Sequence, residues 1–159
     1  MDTQVKNLIP ATSSALLARV QGVNKLYQAL CAPLLARYAL TQAEADILLF
    51  LANNPPYDTA RDIVEKRRLA KSHVSVGVEA LAARGLVERW YRDGNRKTIH
   101  LRLTDAAAPM IEEGRAVQRR FAALLIGGFT PEETAQLEAM LMRMGQNADA
   151  AIAALNKKK

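Results

Sequence analysis

The sequence predicts a mostly α-helical protein that contains one small β-hairpin. Aromatic residues make up only 5% of the chain, while Ala and Leu are plentiful, and these two residues lose little on entering a helix. Apolar residues recur at helical spacing along most of the chain, and only residues 86–103 show the short alternating runs that are typical of strands. The chain has 159 residues, which is enough for one domain with a dimerising extension.

The N-terminal segment is predicted to form an amphipathic helix. Its apolar residues recur at steps of four, three, four and three, and they are Leu16, Val20, Val23, Tyr27 and Leu30. Pro33 is expected to end or kink this helix near Ala32, because proline lacks the N–H that a helix interior requires. Leu34, Leu35 and Tyr38 then continue the apolar surface in a short second piece.

A capping box opens the next helix, because the Thr41 hydroxyl and the Glu44 carboxylate can each satisfy a free backbone N–H of the other residue. Asn53–Pro56 is expected to end this helix. Its predicted buried face consists of Ala45, Leu48, Leu49 and Ala52. Asp58 is then expected to cap a short helix over residues 59–67 that buries Ile63 and Val64.

A second helix is predicted from Lys71 to Arg84 after a turn near residues 68–70, with Gly85 at its C-terminus. Its apolar stripe consists of Val74, Val78 and Leu81.

Two strands are predicted over Leu86–Tyr91 and Lys97–Leu103, joined by the polar tip Arg92–Arg96. In the second strand, Ile99 and its apolar neighbours alternate with Thr98, His100 and Arg102, so His100 is expected to point outward.

Two helices are predicted beyond the hairpin. The first runs from Asp105 to about Ile126 and has Pro109 in its first turns, and Gly127-Gly128 ends it. Thr130, Pro131 and Glu133 have the pattern of a capped helix start. The apolar face of this last helix consists of Leu137, Met140, Leu141 and Met144.

Positive charge is concentrated in the middle of the chain. Residues 61–102 contain 11 Lys or Arg and 5 Asp or Glu, and this excess of six equals the net charge of +6 for the whole chain. A local excess of this kind favours a polyanionic partner.

The order of a short helix, a turn, a helix and a hairpin with a basic tip is that of a winged helix-turn-helix. Such a helix fits the major groove of DNA, where base edges present a distinguishable pattern of donors and acceptors. The predicted DNA-binding residues on its outward face are Lys71, Ser72, His73, Ser75 and Val76. Arg92, Arg96 and Lys97 at the hairpin tip suit the phosphate backbone or the minor groove.

This region resembles the MarR family of multiple-antibiotic-resistance-type regulators. The resemblance rests on Lys71–Ser75, on Arg84–Val87, and on the tip Asp93–Lys97 followed by Leu103-Thr104, and it is strongest over Leu40–Ala107. It implies a homodimeric transcription regulator, favoured as a repressor, that binds a pseudo-palindromic operator in double-stranded DNA. It also implies a possible small aromatic effector bound between the dimer helices and the winged lobe.

The predicted organisation follows from the resemblance. Residues 1–36 are expected to form an N-terminal dimerisation helix, residues 37–104 the DNA-binding domain, and residues 105–159 the C-terminal dimerisation helices and a basic tail.

The chain departs from the family pattern at several positions. Asn95 stands where the family usually has the Asp that orients a wing Arg, and Lys97 replaces that Arg. Ala70 stands where Ser or Asp often caps the recognition helix, and Ala107 replaces a common Gly. These departures leave the orientation of the wing undetermined by the resemblance, while its positive charge is unaffected.

Other functions fit the sequence less well. The two histidines and the single Cys31 do not suggest a metal site, no cofactor is indicated, and no nucleophile or phosphate-binding motif points to an enzyme. Cys31 is expected to be a small buried residue, and a lone cysteine with no apolar membrane span indicates a cytoplasmic protein. A winged helix that binds proteins and no DNA remains the alternative function.

Overall fold

A computed structural model describes residues 3–157 of the chain, with side chains from residue 14 onward. The elements in chain order are α1 (Thr3–Tyr38), α2 (Gln42–Asn53), α3 (Ala60–Asp62), α4 (Lys71–Ala83), β1 (Val87–Arg92), β2 (Asn95–Leu103), α5 (Ala108–Ile126) and α6 (Pro131–Asn156). The chain divides into two compact units within α5, after Phe121. Lys158 and Lys159 of the predicted basic tail lie outside the described residues.

Helix α1 runs without interruption past Pro33 to Tyr38. The predicted end near Ala32 and the separate second piece are therefore wrong. Proline removes one helical hydrogen bond, but Cys31 and Leu34 on either side of it are only 1% and 4% exposed. This packing holds the helix together through the proline.

Helix α2 is the centre of the core. The predicted capping box is confirmed, with Thr41 Oγ1 accepting from the Glu44 N–H at 3.2 Å and Glu44 Oε2 accepting from the Thr41 N–H at 2.7 Å. Residues 44–51 are all buried, so α2 is enclosed on every side and not only along its predicted face. A Cβ at Gly77 of α4 would lie 2.6 Å from Ile47 Cδ1, so glycine allows α4 to cross α2 closely.

The short helix α3 is capped by Thr59 and not by Asp58 as predicted. Thr59 Oγ1 accepts from the Asp62 N–H at 3.1 Å, and Asp62 Oδ2 accepts from the Thr59 N–H at 3.0 Å. The helix continues into a π-helical turn, Ile63–Arg67, and ends at Arg68, whose φ of 61° is left-handed. Asp58 is free for another role because Thr59 takes the cap.

Helix α4 buries its predicted stripe of Val74, Val78 and Leu81 against the core. Gly85 follows with a φ of +68°, as expected for the residue that ends a helix in the left-handed conformation. The guanidinium of Arg84 donates to the carbonyl oxygens of Tyr38 at 2.7 Å and Ala39 at 3.1 Å. The end of α4 is thereby joined to the end of α1.

Strands β1 and β2 form an antiparallel hairpin in which Trp90 pairs with His100 and Arg92 with Asn95. The predicted five-residue tip is shorter in the structure, because the strands extend to Arg92 and Asn95.

The prediction that His100 points outward is wrong, since His100 is 6% exposed while Ile99 is 45% exposed. Thr59 forms a β-bridge with His100 outside the hairpin, and the Asp58 carboxylate of this third segment lies 2.7 Å from His100 Nδ1.

Beyond the hairpin, Asp105–Ala107 form a 3-10 turn ahead of α5, and Gly127-Gly128 end α5 as predicted. The capped start of α6 at Thr130 is also confirmed. Among the described residues of α6, none is buried.

Candidate nucleic-acid interface

The outward face of α4 carries the five side chains predicted to meet DNA, and all five are exposed: Lys71, Ser72, His73, Ser75 and Val76. The buried stripe of α4 fixes this orientation, because Val74 and Val78 face the core and their neighbours must face away. Val76 is the apolar member and is 70% exposed. The face therefore combines small polar groups with one methyl-bearing side chain, which suits close approach to base edges.

The hairpin tip presents the three predicted cations Arg92, Arg96 and Lys97, all of them exposed. Arg92 is partly engaged, since its Nη2 lies 3.9 Å from Asp58 Oδ2 and its guanidinium lies 6.0 Å from the Trp90 ring centroid. Within residues 3–157, Arg96 and Lys97 have no ion pair. Their charge is available to an external anion.

Asn95 organises the tip by a hydrogen bond to the backbone. Its Oδ1 accepts from the Lys97 N–H at 2.9 Å, as in an Asx turn. Asn95 thus orders the backbone that carries the wing cations through a neutral hydrogen bond.

Most other cations of the basic segment are engaged within the protein. The ion pairs are Arg61–Glu65 at 2.7 Å, Arg67–Asp46 at 3.1 Å, Arg89–Glu79 at 2.6 Å and Arg102–Glu88 at 2.8 Å. Lys66 lies over the Tyr57 ring at 5.1 Å. Of the described residues in this segment, Lys71, Arg96 and Lys97 are the cations with neither an ion pair nor an aromatic or carbonyl partner. Within residues 61–102, the available charge is thus confined to the start of α4 and the wing.

Asp58 and His100 form a partly buried pair at the base of the wing. His100 Nδ1 lies 2.7 Å from Asp58 Oδ1, and the His100 ring lies 4.9 Å from the Trp90 ring, centroid to centroid. Neither residue was among the predicted site residues, since alternation in β2 placed His100 on the wrong side.

A cavity of about 560 Å³ lies between α3, α4 and the hairpin. Its lining is mostly apolar and includes Val64, Val74, Val78, Ile99 and Leu101. Lys71 and Arg89 also line it. Glu65 and Glu79 line it as well, and Glu79 is the ion-pair partner of Arg89. A small aromatic ring has the size to enter such a space.

Cys31 is 1% exposed, which confirms its prediction as a small buried residue. Burial raises the pKa of its thiol. Burial, and next the neighbouring carboxylate of Asp46, also raise the pKa of Tyr27. Both shifts favour the neutral form of the group, the thiol in Cys31 and the phenol in Tyr27.

The part of the chain that the structure describes contains no cluster of three or more residues able to hold a metal ion. None of its described helices is both long enough and apolar enough to cross a membrane.

A helix pair whose second helix is open to solvent, followed by a basic two-stranded hairpin, defines a winged helix-turn-helix protein. A sequence model of the MarR family matches residues 40–95, which span α2 through the start of β2. The resemblance to the MarR family found in the sequence is confirmed for these residues. Members of this family are transcription regulators and not enzymes.

Solved structures of MarR-type regulators share the fold. A MarR protein from Peptoclostridium difficile superposes with a TM-score of 0.76 at 17% identity, over 91% of this chain and 94% of that one. MepR of S. aureus, in complex with DNA, gives 0.65 at 19% identity over 89% and 98%. BpsR of Bordetella bronchiseptica, whose DNA binding is regulated by 6-hydroxynicotinic acid, gives 0.66 at 19% identity over 82% and 98%. No curated protein sequence matches the chain significantly.

Proposed function

We propose that this chain is a sequence-specific DNA-binding repressor that acts as a homodimer on a pseudo-palindromic operator in the bacterial cytoplasm. The observation that carries the proposal is the distribution of available charge. Among the side chains that the structure describes, Lys71, Arg96 and Lys97 have no partner, while neighbouring arginines are paired. Free cations beside a small polar helix face are what a DNA-reading surface requires.

In the proposed complex, α4 enters the major groove, where Ser72, His73 and Ser75 can exchange hydrogen bonds with base edges and Val76 can meet a thymine methyl group. The wing cations contact the flanking backbone or the minor groove. Two lobes related by a two-fold axis read half-sites about one DNA turn, ~34 Å, apart.

The homodimer is supported by the helices outside the winged lobe. Exposed apolar residues of α1 include Leu16, Leu17, Val20 and Val23. Exposed apolar residues of α6 include Met140, Leu141, Met142, Met144, Ile152 and Leu155. Several exposed apolar residues on one helix are typical of an interface between subunits.

The alternative, a winged helix that binds only proteins, predicts apolar anchors on the face of α4. Protein interfaces are enriched in such side chains and are depleted of Lys at their centre. Val76 is the apolar member among the five proposed contact residues, and the other four are polar or charged. This composition favours DNA.

The test measures binding to a duplex selected by the wild-type protein from a random-sequence library, and to a scrambled duplex, at several salt concentrations. The double variant Arg96→Ala/Lys97→Ala is expected to bind both duplexes more weakly. Its slope of log affinity against log salt should be shallower by roughly 2 to 4, because each released phosphate contact contributes ~0.9 and a dimer has two wings.

The matched control is Arg102→Ala, which removes a charge from the same hairpin. Arg102 is already paired with Glu88 at 2.8 Å, at the end of the hairpin away from the tip, so the slope should stay unchanged. An unchanged slope in the double variant would exclude the wing from the interface. Equal affinity of the wild type for selected and scrambled duplexes would refute sequence-specific regulation.

A small-molecule effector is the second part of the proposal. The regulation of BpsR by 6-hydroxynicotinic acid and the cavity beside α4 support it, because a ligand there would contact both α3 and the DNA-reading helix. A panel of aromatic acids that includes 6-hydroxynicotinic acid should contain a compound that raises Tm and weakens operator binding. Ile99→Trp, which fills the mouth of the cavity, should abolish both effects of that compound; their persistence would exclude this cavity as the effector site.

A further inference from the structure

Asp58 joins the wing to the segment ahead of α3 through both its main chain and its side chain. Its carbonyl oxygen accepts from the Leu101 N–H at 2.7 Å. Its carboxylate lies 2.7 Å from His100 Nδ1 through Oδ1 and 3.9 Å from Arg92 Nη2 through Oδ2. The side chains of Asp58 and His100 are 20% and 8% exposed. One residue thus contacts the wing at three points.

The contacts form a closed ring of four side chains. His100 pairs with Trp90 across the hairpin, and their rings lie 4.9 Å apart. Arg92 lies near the Trp90 ring at 6.0 Å and returns to Asp58. The register of the hairpin shifts between Trp90 and Arg92, which are two of the four residues in this set of contacts.

We propose that Asp58 and His100 are positioning residues for DNA binding, which hold the wing in the pose that presents its tip cations to the phosphate backbone. A two-stranded hairpin is at best marginally stable in water by itself. The free cations Arg96 and Lys97 lie at its far end, so a small change of angle at the base displaces them from a phosphate. The proposal rests on the proposed DNA-binding function.

Stability alone does not account for this pair. Taking a carboxylate and an imidazole partly out of water is costly, and apolar residues of similar volume often serve a core equally well. A hydrogen bond between them has a direction, whereas apolar packing permits sliding. The pair therefore fixes an orientation, and the orientation matters at the tip.

The test compares His100→Asn with His100→Phe. The Asn amide can donate to Asp58 from nearly the place of Nδ1, while Phe keeps the ring contact with Trp90 but has no donor. His100→Phe is expected to lower affinity for the selected duplex about tenfold and to make the salt slope shallower by roughly 1 to 2, the loss of one phosphate contact per wing at ~0.9 each. His100→Asn should keep the wild-type slope.

Two further readouts separate positioning from general destabilisation. In the His100→Phe background, Arg96→Ala should add little further loss, because Arg96 has already left the phosphate; independent roles would instead give additive losses. Trp90 is the only tryptophan of the chain, so its fluorescence reports on the base of the wing. Its emission should shift in His100→Phe and stay near the wild-type maximum in His100→Asn.

The outcomes are distinct. A folded His100→Phe variant with wild-type slope and affinity overturns the proposal, and so do additive losses with Arg96→Ala. If the wild type binds no duplex specifically, the proposed function fails, and the fluorescence comparison alone then decides whether the pair anchors the wing. If His100→Phe does not fold, Asp58→Ala and its matched control Asp58→Asn take the place of the two His100 variants. The slope of log affinity against log salt is then expected to become shallower only in Asp58→Ala.

Discussion

Helices α2 and α6 begin with the same capping motif but differ in how far their residues are buried. Each starts with a Thr–Glu capping box, at Thr41 in α2 and at Thr130 in α6. In α2, every residue from 44 to 51 is buried, whereas no described residue of α6 is. The local code for a helix is thus the same in both, and the difference lies in what each apolar face has to pack against. The winged lobe completes its core within one chain, while α6 keeps its apolar residues exposed.

The largest effect is expected in the winged lobe. Leu81 of α4 is fully buried in the core cluster, so Leu81→Ala should reduce the free energy of unfolding by about 2–5 kcal/mol through lost burial and a residual cavity. Urea denaturation followed by circular dichroism measures this. A loss below about 1 kcal/mol would mean that the lobe is not the stable centre of the molecule.

A charge introduced on the exposed face of α6 should weaken the proposed dimer without lowering the stability of the winged helix-turn-helix. Leu141 is 56% exposed, and Leu141→Glu should raise the dimer dissociation constant at least about tenfold, since burying a leucine contributes about 1.5–3 kcal/mol. Analytical ultracentrifugation gives the constant. Gln146→Glu adds the same charge at a polar exposed position of α6 and should leave it unchanged. A Leu141→Glu protein that stays dimeric would exclude this face from the interface.

The two capping boxes allow the same substitution to be compared in a buried helix, α2, and in an exposed helix, α6. Thr41→Ala should cost about 1–2 kcal/mol of global stability, because it leaves an N–H of α2 unsatisfied beside the buried Glu44. Thr130→Ala should cost about 0.5 kcal/mol or less and act as local fraying, which hydrogen exchange detects at the start of α6. Equal costs for the two substitutions would contradict the contrast between the two helices.

The smallest effect concerns Cys31, on the buried part of α1. Burial raises the pKa of its thiol, so the folded state favours the protonated form. The resulting contribution to the free energy of unfolding is fully present below the unfolded-state pKa of about 8.5. Stability should therefore fall as the pH rises from about 8 to 9.5, and the fall should be absent in Cys31→Ala. Denaturation curves for both proteins at each pH test this, and parallel pH profiles would show that the thiol is not enclosed.

Local signals in the sequence were sufficient for the helix boundaries that depend on neighbouring residues. The caps at Thr41 and Thr130 and the left-handed Gly85 depend on residues within one turn, and the structure confirms them. Pro33 was misjudged because packing of Cys31 and Leu34, which no local rule contains, holds α1 together.

The candidate site shows the same limit. Exposure of the α4 face followed from the spacing of its apolar stripe, and the basic tip followed from composition. The Asp58–His100 pair joins residues 42 positions apart, so alternation within β2 could not reveal it. Charge counting likewise could not distinguish the paired Arg89 and Arg102 from the free Arg96.

The hydrogen bonds of Arg84 couple the positions of α4 and α1. Its hydrogen bonds to the carbonyl oxygens of Tyr38 and Ala39 tie the C-terminal end of α4 to the end of α1, the helix whose exposed apolar residues include Leu16, Leu17, Val20 and Val23. A tilt of α1 would move the acceptors of these two hydrogen bonds and with them the end of α4. The angle of α4, the helix proposed to read DNA, is therefore coupled to the tilt of α1.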